Sequence, residues 1–490
     1  MRPRTITALA ALTAAALTGG LLTLSAGTAA AAASGPSSDF NGDGYGDLAA
    51  TAEYATVGSA SQAGAVVITY GSKSGITSTA TQVIDQSSPG VPGTPETDDV
   101  FGSALAHGDF DHDGYADLAV GAPGEDVDSA TDQGLVTILW GSPAGLSGGD
   151  TLSGSTASKG AGTFLVSGDF NGDGRDDLAL AQPGSNVVSL RLSFVVDDLG
   201  LATRSELLLA SAIDGSGPES LTSGDVNGDG LDDLLIGGNT VDGGASDLHR
   251  NALYLLDDYS SGSHQPVYAG DAGHGTTAAI GDVDKDGYGD IVTGNPWDAT
   301  AYPYDGEDAL GGAVTLVHGS AGGLDTTRPA ETITQDTAGI PGVSEANDHF
   351  GYSVSLGDLN ADGYADLAIG AVYETVGTEE AAGAVTIVPG TANGLSAATS
   401  YAYNEGSAGV PGALEAGDYF GSAVRMTDTN GDGKGDLAVG GSGENNEDGS
   451  LWSLKGTTSG LSTTGSVSFG AETAGLSLTG TPQFGERITG

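Results

Sequence analysis

Short apolar runs recur along the chain, and each is bounded by glycine, proline or another turn residue. Examples are "LAVGAP" from Leu118, "LALAQP" from Leu178 and "LAIGAV" from Leu367. A second series alternates apolar and polar residues and ends at a glycine-rich turn, as in "GAVVITYGS" and "GAVTIVPGT". Short runs rich in Val, Ile and Thr and closed by turn residues predict β-strands rather than helices. The chain beyond its first 33 residues is therefore expected to be all-β.

These strands belong to a unit that occurs seven times. In a complete unit, an apolar run is followed by an alternating run, a weaker run such as "ETITQ" and a segment such as "FGYSVSLGD". Four short strands per repeated unit are typical of the blade of a β-propeller. We expect one seven-bladed propeller with four-stranded blades over residues 34–490. The third and fourth units deviate most, with "NVVSLRLSFVVDD" and "NALYLLDDYSSG" in place of the usual alternating run.

A polar motif precedes the apolar run in every unit. It reads D-x-[DN]-x-D-G-x-x-D, with oxygen-bearing side chains at positions 1, 3, 5 and 9 and glycine at position 6. The copies, named loops 1 to 7 in chain order, are Asp39–Asp47, Asp109–Asp117, Asp169–Asp177, Asp225–Asp233, Asp282–Asp290, Asp358–Asp366 and Asp428–Asp436. Short carboxylates alternating along a tight turn, with a backbone carbonyl at position 7, can supply the oxygen ligands that calcium requires. Turn propensity alone would explain one copy, but not the same ligand spacing in seven.

The motif differs from an EF-hand, which needs a glutamate at position 12, where loops 1 and 2 have Ala50 and Val120. Position 9 is therefore expected to close each site. We expect up to seven structural calcium ions. Their predicted ligands are Asp39, Asn41, Asp43, Tyr45, Asp47, Asp109, Asp111, Asp113, Tyr115, Asp117, Asp169, Asn171, Asp173, Arg175, Asp177, Asp225, Asn227, Asp229, Leu231, Asp233, Asp282, Asp284, Asp286, Tyr288, Asp290, Asp358, Asn360, Asp362, Tyr364, Asp366, Asp428, Asn430, Asp432, Lys434 and Asp436.

The first 33 residues have the pattern of a secretory signal peptide. Arg2 and Arg4 precede an apolar stretch, and small residues follow up to Ala33. A retained membrane anchor is the alternative, but the apolar stretch is short and rich in alanine. Later segments are too polar to span a bilayer. We expect a secreted, extracellular protein without membrane insertion.

Composition and charge restrict the chemistry further. The chain has 84 glycines and no cysteine, so neither disulfides nor thiol chemistry can contribute. Without Arg2 and Arg4, 12 basic residues face 65 acidic ones, and the formal net charge changes from −51 to −53. Such a surface repels phosphate backbones, so we expect no nucleic-acid partner, and divalent cations are the natural counter-charge. We expect a monomer.

The segment "FGSALAHGDFDHDGYADLAVGAP" resembles the FG-GAP repeat of the integrin alpha-subunit propeller. It carries Phe101 and Gly102 before loop 2 and the sequence "GAP" at residues 121–123 after it. The resemblance covers essentially all of residues 34–490 and implies the propeller fold. It leaves the function open, because propellers support many unrelated activities.

The two ends of the sequence are complementary. Loop 1 has no preceding Phe-Gly segment, whereas Phe484 and Gly485 have no loop after them. If Gly490 is placed next to Ser38, Phe484 precedes Asp39 by the same number of residues as Phe101 precedes Asp109. We therefore expect one blade to be built from both termini, which removes the open sheet edge.

Three units contain an additional phrase, written "GVPGTPETDDVFG", "GIPGVSEANDHFG" and "GVPGALEAGDYFG". Insertions of this kind lie on loops, often on the binding face of a repeat protein. They could equally be ordered loops that cover the junctions between blades. Their aligned acidic residues are Glu96, Glu345 and Glu415, and Asp99, Asp348 and Asp418.

The sequence contains no recognisable catalytic residues, since its seven histidines show neither metal-ligand nor triad spacing. We expect a calcium-binding adhesion or recognition module for an extracellular glycan or protein. The alternative is a carbohydrate-active enzyme, a polysaccharide lyase or hydrolase on the same scaffold. Trp297, Tyr302, Tyr304 and Tyr373 could contact sugars, although packing against neighbouring blades would also explain them. A structural wall or matrix component is a third possibility.

Overall fold

The computed structural model describes most of the chain. The described residues are 38–127, 129–153, 159–184, 187–197, 200–209, 217–241, 247–256, 267–298 and 309–490. The predicted signal peptide and two of the candidate sugar contacts, Tyr302 and Tyr304, lie outside these residues. Within them, we find no helix that is both long and apolar enough to cross a membrane.

Seven four-stranded antiparallel sheets form the blades, as the repeats predict. Blades are numbered so that loop n precedes the second strand of blade n. The strands of blades 1 to 3 are β1 (Leu48–Ala52), β2 (Ala65–Thr69), β3 (Thr81–Ile84), β4 (Leu105–Gly108), β5 (Asp117–Ala122), β6 (Leu135–Trp140), β7 (Ser147–Ser153), β8 (Phe164–Gly168), β9 (Asp177–Ala181), β10 (Val187–Asp197) and β11 (Gly200–Leu209). Those of blades 4 and 5 are β12 (Pro218–Gly224), β13 (Asp233–Val241), β14 (Asp247–Leu255), β15 (Val267–His274), β16 (Thr277–Gly281), β17 (Asp290–Asn295), β18 (Ala313–Val317) and β21 (Glu331–Ile333), with a small hairpin of β19 (Gly319–Ser320) and β20 (Gly323–Leu324).

Blades 6 and 7 complete the chain order. Their strands are β22 (Phe350–Gly357), β23 (Asp366–Ala371), β24 (Ala384–Val388), β27 (Tyr401–Tyr403), β28 (Phe420–Thr427), β29 (Asp436–Gly441), β30 (Ser450–Thr457) and β31 (Gly460–Gly470), with a hairpin of β25 (Gly390–Thr391) and β26 (Gly394–Leu395). Helical structure is limited to a 3-10 turn at Ala397–Thr399 and to α2 (Ala471–Ala474) among the described segments, together with the single turn α1 (Glu444–Glu447), in which Asn445 and Asn446 have left-handed backbone angles.

The predicted ring closure is confirmed. The last strand, β32 (Ile488–Thr489), pairs antiparallel with β1 through Ala49 with Thr489 and Ala50 with Ile488. Blade 1 therefore takes its first strand from one end of the sequence and its other three from the other end.

The second strand of a blade explains the continuous apolar runs. All residues of β5, β17, β23 and β29 are buried, on both faces of the sheet. Each strand lies between two others of its own sheet and between two neighbouring blades. Alternation of apolar and polar residues is therefore absent from these strands.

The hydrophobic core lies between adjacent blades. Phe101, Phe350, Phe420 and Phe484, which begin the Phe-Gly segments, are 0% exposed. Phe101, for example, packs in one cluster with residues of blades 1 and 2. Replacing such a side chain by alanine typically costs about 3–5 kcal/mol.

Close backbone packing explains the glycines of the FG and GAP segments. At Gly370, a Cβ atom would collide with the carbonyl oxygen of Gly421 in the next blade. Gly421 has a φ of +97°, which glycine adopts without strain. These paired glycines allow neighbouring blades to approach closely.

The antiparallel order of the strands sorts the connections into two faces. Loops 1 to 7 lie at one end of the strands, which we call the loop face. Connections from the second to the third strand, and from one blade to the next, lie at the opposite end, the junction face. The three additional phrases belong to the junction face, in segments 85–101, 334–350 and 404–420, which we call the junction segments.

Candidate functional site

Loops 1 to 7 share one turn geometry. The position 1 carboxylate accepts the N–H of the glycine at position 6 over 2.7–3.0 Å in all seven. The position 5 carboxylate accepts the N–H of position 7 over 3.0–3.1 Å. The position 6 glycines have positive φ, as in Gly44 at +89° and Gly287 at +93°. A side chain there would strain the turn that brings the acidic groups together.

The aspartate at position 9 is buried in every loop, with at most 2% exposure. In six loops one of its oxygens accepts the N–H of position 2 over 2.9–3.1 Å. In loops 1, 2, 4, 5 and 6 its other oxygen accepts an N–H from just beyond the third strand of the blade, for example that of Gly141 to Asp117 at 2.8 Å. The sequence analysis assigned this residue to a cation only. The structure shows that it also holds the loop against the sheet.

A closed belt of backbone hydrogen bonds connects the seven loops. The N–H of position 8 in each loop donates to the carbonyl of position 1 in the preceding loop, over 2.8–3.3 Å. The belt runs from Asp39 with Ala116 through every blade and closes with Asp428 and Gly46. Sequence patterns cannot reveal this belt, because backbone atoms form it.

Position 2 of the loops is a structural feature that the sequence analysis missed. Phe40, Phe110 and Phe170 occupy it in loops 1 to 3 and are 0% exposed, and aliphatic residues fill it in loops 4 to 6. Loop 7 has Thr429 instead, whose Oγ1 donates to Asp436 Oδ2 at 2.5 Å. The available signal was an apolar residue at position 2 in six of seven copies.

Two loops bring carboxylates together most closely. In loop 2, Asp109, Asp111 and Asp117 each offer an oxygen within 4.8 Å of the others. In loop 5, the same holds for Asp282, Asp284 and Asp286. An all-oxygen donor set on a tight turn suits a hard divalent cation such as calcium.

Loop 5 also has partners that the sequence did not indicate. Arg328 Nη1 donates to Asp284 Oδ2 at 2.6 Å, and His318 Nδ1 lies 2.8 Å from Asp290 Oδ1. The other oxygen of Asp284, Oδ1, is buried and has no hydrogen-bond partner in the described part of the chain. This oxygen is available to a cation.

The remaining five loops have asparagine at position 3, and its side chain forms hydrogen bonds in two different ways. In loops 1 and 4, Oδ1 of Asn41 and of Asn227 accepts the N–H of position 5 at 2.9 Å. In loops 3, 6 and 7, the asparagine Nδ2 donates to the position 9 carboxylate, over 2.7 Å in loop 3 and 2.8 Å in loop 7. The second arrangement partly satisfies the buried carboxylate from within the loop.

Burial destabilises the anionic form of several position 9 carboxylates. It raises the pKa of Asp117 to about 8, although the N–H of Gly141 opposes the shift, and Asp111 adds to it. Burial raises the pKa of Asp47 to about 7 in the same way. Backbone hydrogen bonds alone therefore do not compensate these carboxylates fully.

On the junction face, the aligned aspartates of the additional phrases have a structural role. Oδ2 of Asp99, Asp348 and Asp418 accepts the N–H of the glutamate three residues earlier, over 2.6–2.7 Å. These aspartates are 1–3% exposed. The phrases are ordered loops at the blade junctions, which agrees with one of the two interpretations left open above.

Aromatic side chains form a row on the junction face across blades 5 to 7. His349 lies 5.1 Å from Trp297 and 4.5 Å from Tyr373, and Tyr373 lies 5.3 Å from Tyr419, measured between ring centroids. We call these four residues the aromatic row. Trp297 and Tyr373 thus pack across blade junctions, yet Tyr373 keeps 39% of its surface exposed.

A cavity of about 420 Å³ adjoins the row, and Trp297 belongs to both. Its lining includes Tyr352, Glu486 and Arg487. Tyr352 stacks on His349 at 6.3 Å and donates its hydroxyl to Glu486 at 3.1 Å. The sequence analysis did not single out His349, Tyr352 or Tyr419, because their proximity depends on contacts between blades.

Comparison with known sequences places these features in a family. The FG-GAP repeat profile matches residues 31–68, 101–139, 274–316, 350–388 and 420–454, and the FG-GAP-like repeat matches residues 169–236. The chain belongs to the FG-GAP repeat family. The matched segments of this FG-GAP propeller include all seven loops. Blades 3 and 4, which deviate most in sequence, are those matched by the FG-GAP-like repeat.

The FG-GAP propeller is also similar to parts of larger proteins. It is 31% identical to integrin alpha-5 of Xenopus laevis over 222 residues, which are 43% of this chain and 20% of that protein. It is 32% identical to integrin alpha-PS2 of Drosophila melanogaster over 231 residues, 43% of this chain and 15% of that one. Phosphatidylinositol-glycan-specific phospholipase D of Mus musculus is 36% identical over 150 residues, 30% of this chain and 18% of that protein. The similarity thus covers a fifth or less of these relatives.

Proposed function

We propose that this chain is a secreted, calcium-stabilised propeller that recognises an extracellular glycan or protein through its junction face. The aromatic row carries this proposal. It offers a partly exposed aromatic surface beside a cavity that is lined by both apolar and polar groups, on the face that also contains the three additional phrases. Ligand sites in proteins commonly combine such aromatic walls with a few polar groups.

Calcium has a stabilising role in the proposal. Positions 1, 3, 5 and 9 of each loop would supply side-chain oxygens, and position 7 would supply its carbonyl, for up to seven ions. Support comes from the convergent carboxylates of loops 2 and 5 and from the unpartnered Oδ1 of Asp284. Bound calcium would compensate the buried position 9 carboxylates and fix the loop face, leaving the junction face as a rigid surface.

The similarity to integrin alpha chains favours recognition over turnover for this scaffold. Because the chain covers only 20% and 15% of the two integrin relatives, the activity of those whole proteins does not transfer directly. The phospholipase relative, covered to 18%, shows that the repeat also occurs in a protein named for an enzymatic activity. Activity must therefore be measured alongside binding.

The test is a glycan-array and extracellular-protein binding screen, combined with polysaccharide digestion assays in millimolar calcium. We expect saturable binding without shortened or unsaturated products. The variant Tyr373→Ala should weaken binding at least tenfold, because it removes the most exposed member of the row. Tyr268→Ala, which removes an exposed aromatic side chain from β15 of blade 4, outside the aromatic row and the loops, is the matched control and should leave affinity unchanged.

Two results would overturn the proposal. Equal loss of affinity in both tyrosine variants would mean that the aromatic row is not the ligand surface. Release of shortened or unsaturated sugar products would instead establish the carbohydrate-active alternative.

A further inference from the structure

Each junction segment places one side chain beside a glutamate of the next blade, at matching positions in all three. Gln86 Nε2 donates to Glu125 Oε2 at 2.5 Å, and Gln335 Nε2 donates to Glu374 Oε2 at 2.7 Å. In the third segment the glutamine is replaced by Glu405. Each of these residues follows the last strand of one blade, and its partner follows the second strand of the next.

The partner of Glu405 is Glu444, which corresponds in position to the glutamates of the other two pairs. Two carboxylates therefore meet where the other junctions have an amide and a carboxylate. Asp418 is the third member of the group, since one oxygen from each of the three residues lies within 4.8 Å of the others. This group of three therefore has one more carboxylate than the matching residues at either of the other two junctions.

Glu405 is 4% exposed, and neither of its carboxylate oxygens accepts a hydrogen bond from an N–H or O–H group in the described chain. Its conformation nevertheless matches that of the glutamines. A Cβ atom on Gly412 would meet Glu405 Oε1, whereas on Gly93 or Gly342 it would meet the Nε2 of the corresponding glutamine. The side chain thus points into the same space, but it carries acceptors only.

The backbone directly after Glu444 makes a left-handed turn. Asn445, Asn446 and Glu447 have φ values of 54°, 63° and 68°, a left-handed turn that is unfavourable for residues with a Cβ. Asn445 Nδ2 donates to Glu444 Oε1 at 3.1 Å, while Glu444 Oε2 is buried without a partner among the described residues. The two other junctions have longer connections after the equivalent glutamate.

Other charges nearby do not neutralise the group. The described ion pairs include no lysine or arginine that contacts Glu405, Asp418 or Glu444. A cavity of about 330 Å³ reaches Asp418 and is lined additionally by Glu415 and Glu447, which add negative charge. An isolated buried carboxylate is costly unless a cation or a proton compensates it.

We propose that Glu405, Asp418 and Glu444 bind a divalent cation of the calcium type at the junction of blades 6 and 7. The donor set is entirely oxygen, which calcium prefers. The ion would link the last strand of blade 6 to the first and second strands of blade 7. This site lies on the junction face and does not depend on cation binding by loops 1 to 7.

The experiment compares the wild-type protein with Glu405→Gln, which recreates the amide and carboxylate pair of the other junctions. Calcium per chain is measured by equilibrium dialysis and metal analysis, and thermal unfolding is followed with calcium and with chelator. We expect the variant to bind one calcium ion fewer per chain. We also expect it to unfold at a higher temperature than wild type in chelator, because the introduced amide would donate to Glu444. Unchanged calcium content would overturn the proposal and indicate a proton shared among the carboxylates.

A reciprocal variant and a spectroscopic probe complete the test. Gln335→Glu assembles the same three carboxylates with Asp348 and Glu374, and it should bind one additional calcium ion. Destabilisation of this variant in calcium without additional binding would count against the proposal.

Trp452 lies beside the group, with its Nε1 donating to the carbonyl oxygen of Pro411 at 2.7 Å. Terbium bound at this site should therefore emit when tryptophan is excited, and calcium should displace the terbium and decrease this emission in the wild type. The emission should be weaker in Glu405→Gln. Equal emission from the two proteins would contradict the assignment.

Discussion

The two faces of the propeller use acidic residues in opposite ways. On the loop face, one arrangement is repeated seven times, and backbone N–H groups hold the carboxylates at positions 1 and 5 in every copy. On the junction face, the connections differ from blade to blade, and the glutamates Glu125 and Glu374 depend on a side-chain partner, Gln86 or Gln335. The regular loop face therefore maintains the ring. The junction face varies between blades, as is usual for surfaces on which binding sites evolve.

Removal of calcium should have the largest effect, and it should act mainly on the loop face. Chelation should lower the unfolding temperature strongly, because each occupied site contributes about 3 kcal/mol at a free calcium concentration roughly 100-fold above its Kd. The high negative charge of the chain adds self-repulsion when the ions leave. Differential scanning calorimetry with calcium and with chelator measures the change. An unfolding temperature that does not depend on calcium would mean that the loops hold their shape through backbone hydrogen bonds alone.

The second effect concerns the buried side chain at position 2 of the loops. Phe110→Ala should reduce the free energy of unfolding by about 3–5 kcal/mol, because it opens a cavity between blades 2 and 3. Chemical denaturation measures the loss. Phe110→Leu, which keeps much of the volume, should cost clearly less. Equal losses would show that the aromatic shape matters more than the filled volume.

A smaller effect is expected from the exceptional loop 7. Thr429→Val keeps the shape of the side chain but removes the hydroxyl that donates to Asp436. Leaving a buried acceptor without this donor should cost about 1–3 kcal/mol, again measured by denaturation. Thr427→Val, which lies at the end of the neighbouring strand and donates no hydrogen bond to Asp436, serves as the control. A loss in the control as large as in Thr429→Val would contradict the assigned role.

The smallest effect is the pH dependence contributed by one carboxyl on the junction face. Burial raises the pKa of Glu125 from 4.5 to about 7, with Asp99 adding to the shift and Gln86 opposing it. The folded state thus holds this proton more tightly than the unfolded chain. Its contribution to stability is complete below the unfolded pKa and is lost as the pH rises through about 7.

The variant Glu125→Gln isolates this contribution. Between about pH 5 and about pH 8 it should lose less stability than the wild type, by on the order of 1 kcal/mol. Denaturation curves at the two pH values measure the difference. Glu96→Gln, on the same junction but exposed, should follow the wild type. If Glu125→Gln lost as much stability between these pH values as the wild type, the Glu125 carboxyl would already be ionised at low pH.

Repetition determines how much could be predicted from the sequence. Strand order, the loops and ring closure were predictable because the same phrase occurs seven times and its missing half lies at the other end of the chain. The belt of hydrogen bonds was not, because it joins backbone atoms whose residues vary. Contacts such as Arg328 with Asp284, or Glu405 with Glu444, join residues about 40 positions apart. Only the folded arrangement of neighbouring blades brings them together.

Position 9 shows a different limit of sequence reasoning. An aspartate at ligand spacing predicts a cation, and nothing in the motif indicates that the same carboxylate accepts two backbone N–H groups. The aromatic row is similar, since Trp297 and Tyr373 stood out as candidates while His349 between them did not. Trp297 and His349 belong to neighbouring blades, as do Tyr373 and Tyr419, so only the folded ring brings the row together.

The closed belt on the loop face changes how the molecule can come apart. In a linear array of repeats, the terminal units have one neighbour and fray first. Here every loop has a neighbour on both sides, including the pair formed by Asp428 and Gly46. Loss of any one blade breaks contacts on two sides at once, so the ring should melt as a single cooperative body. The ring closes at the short pairing of β32 with β1, in which two residues of each strand are paired.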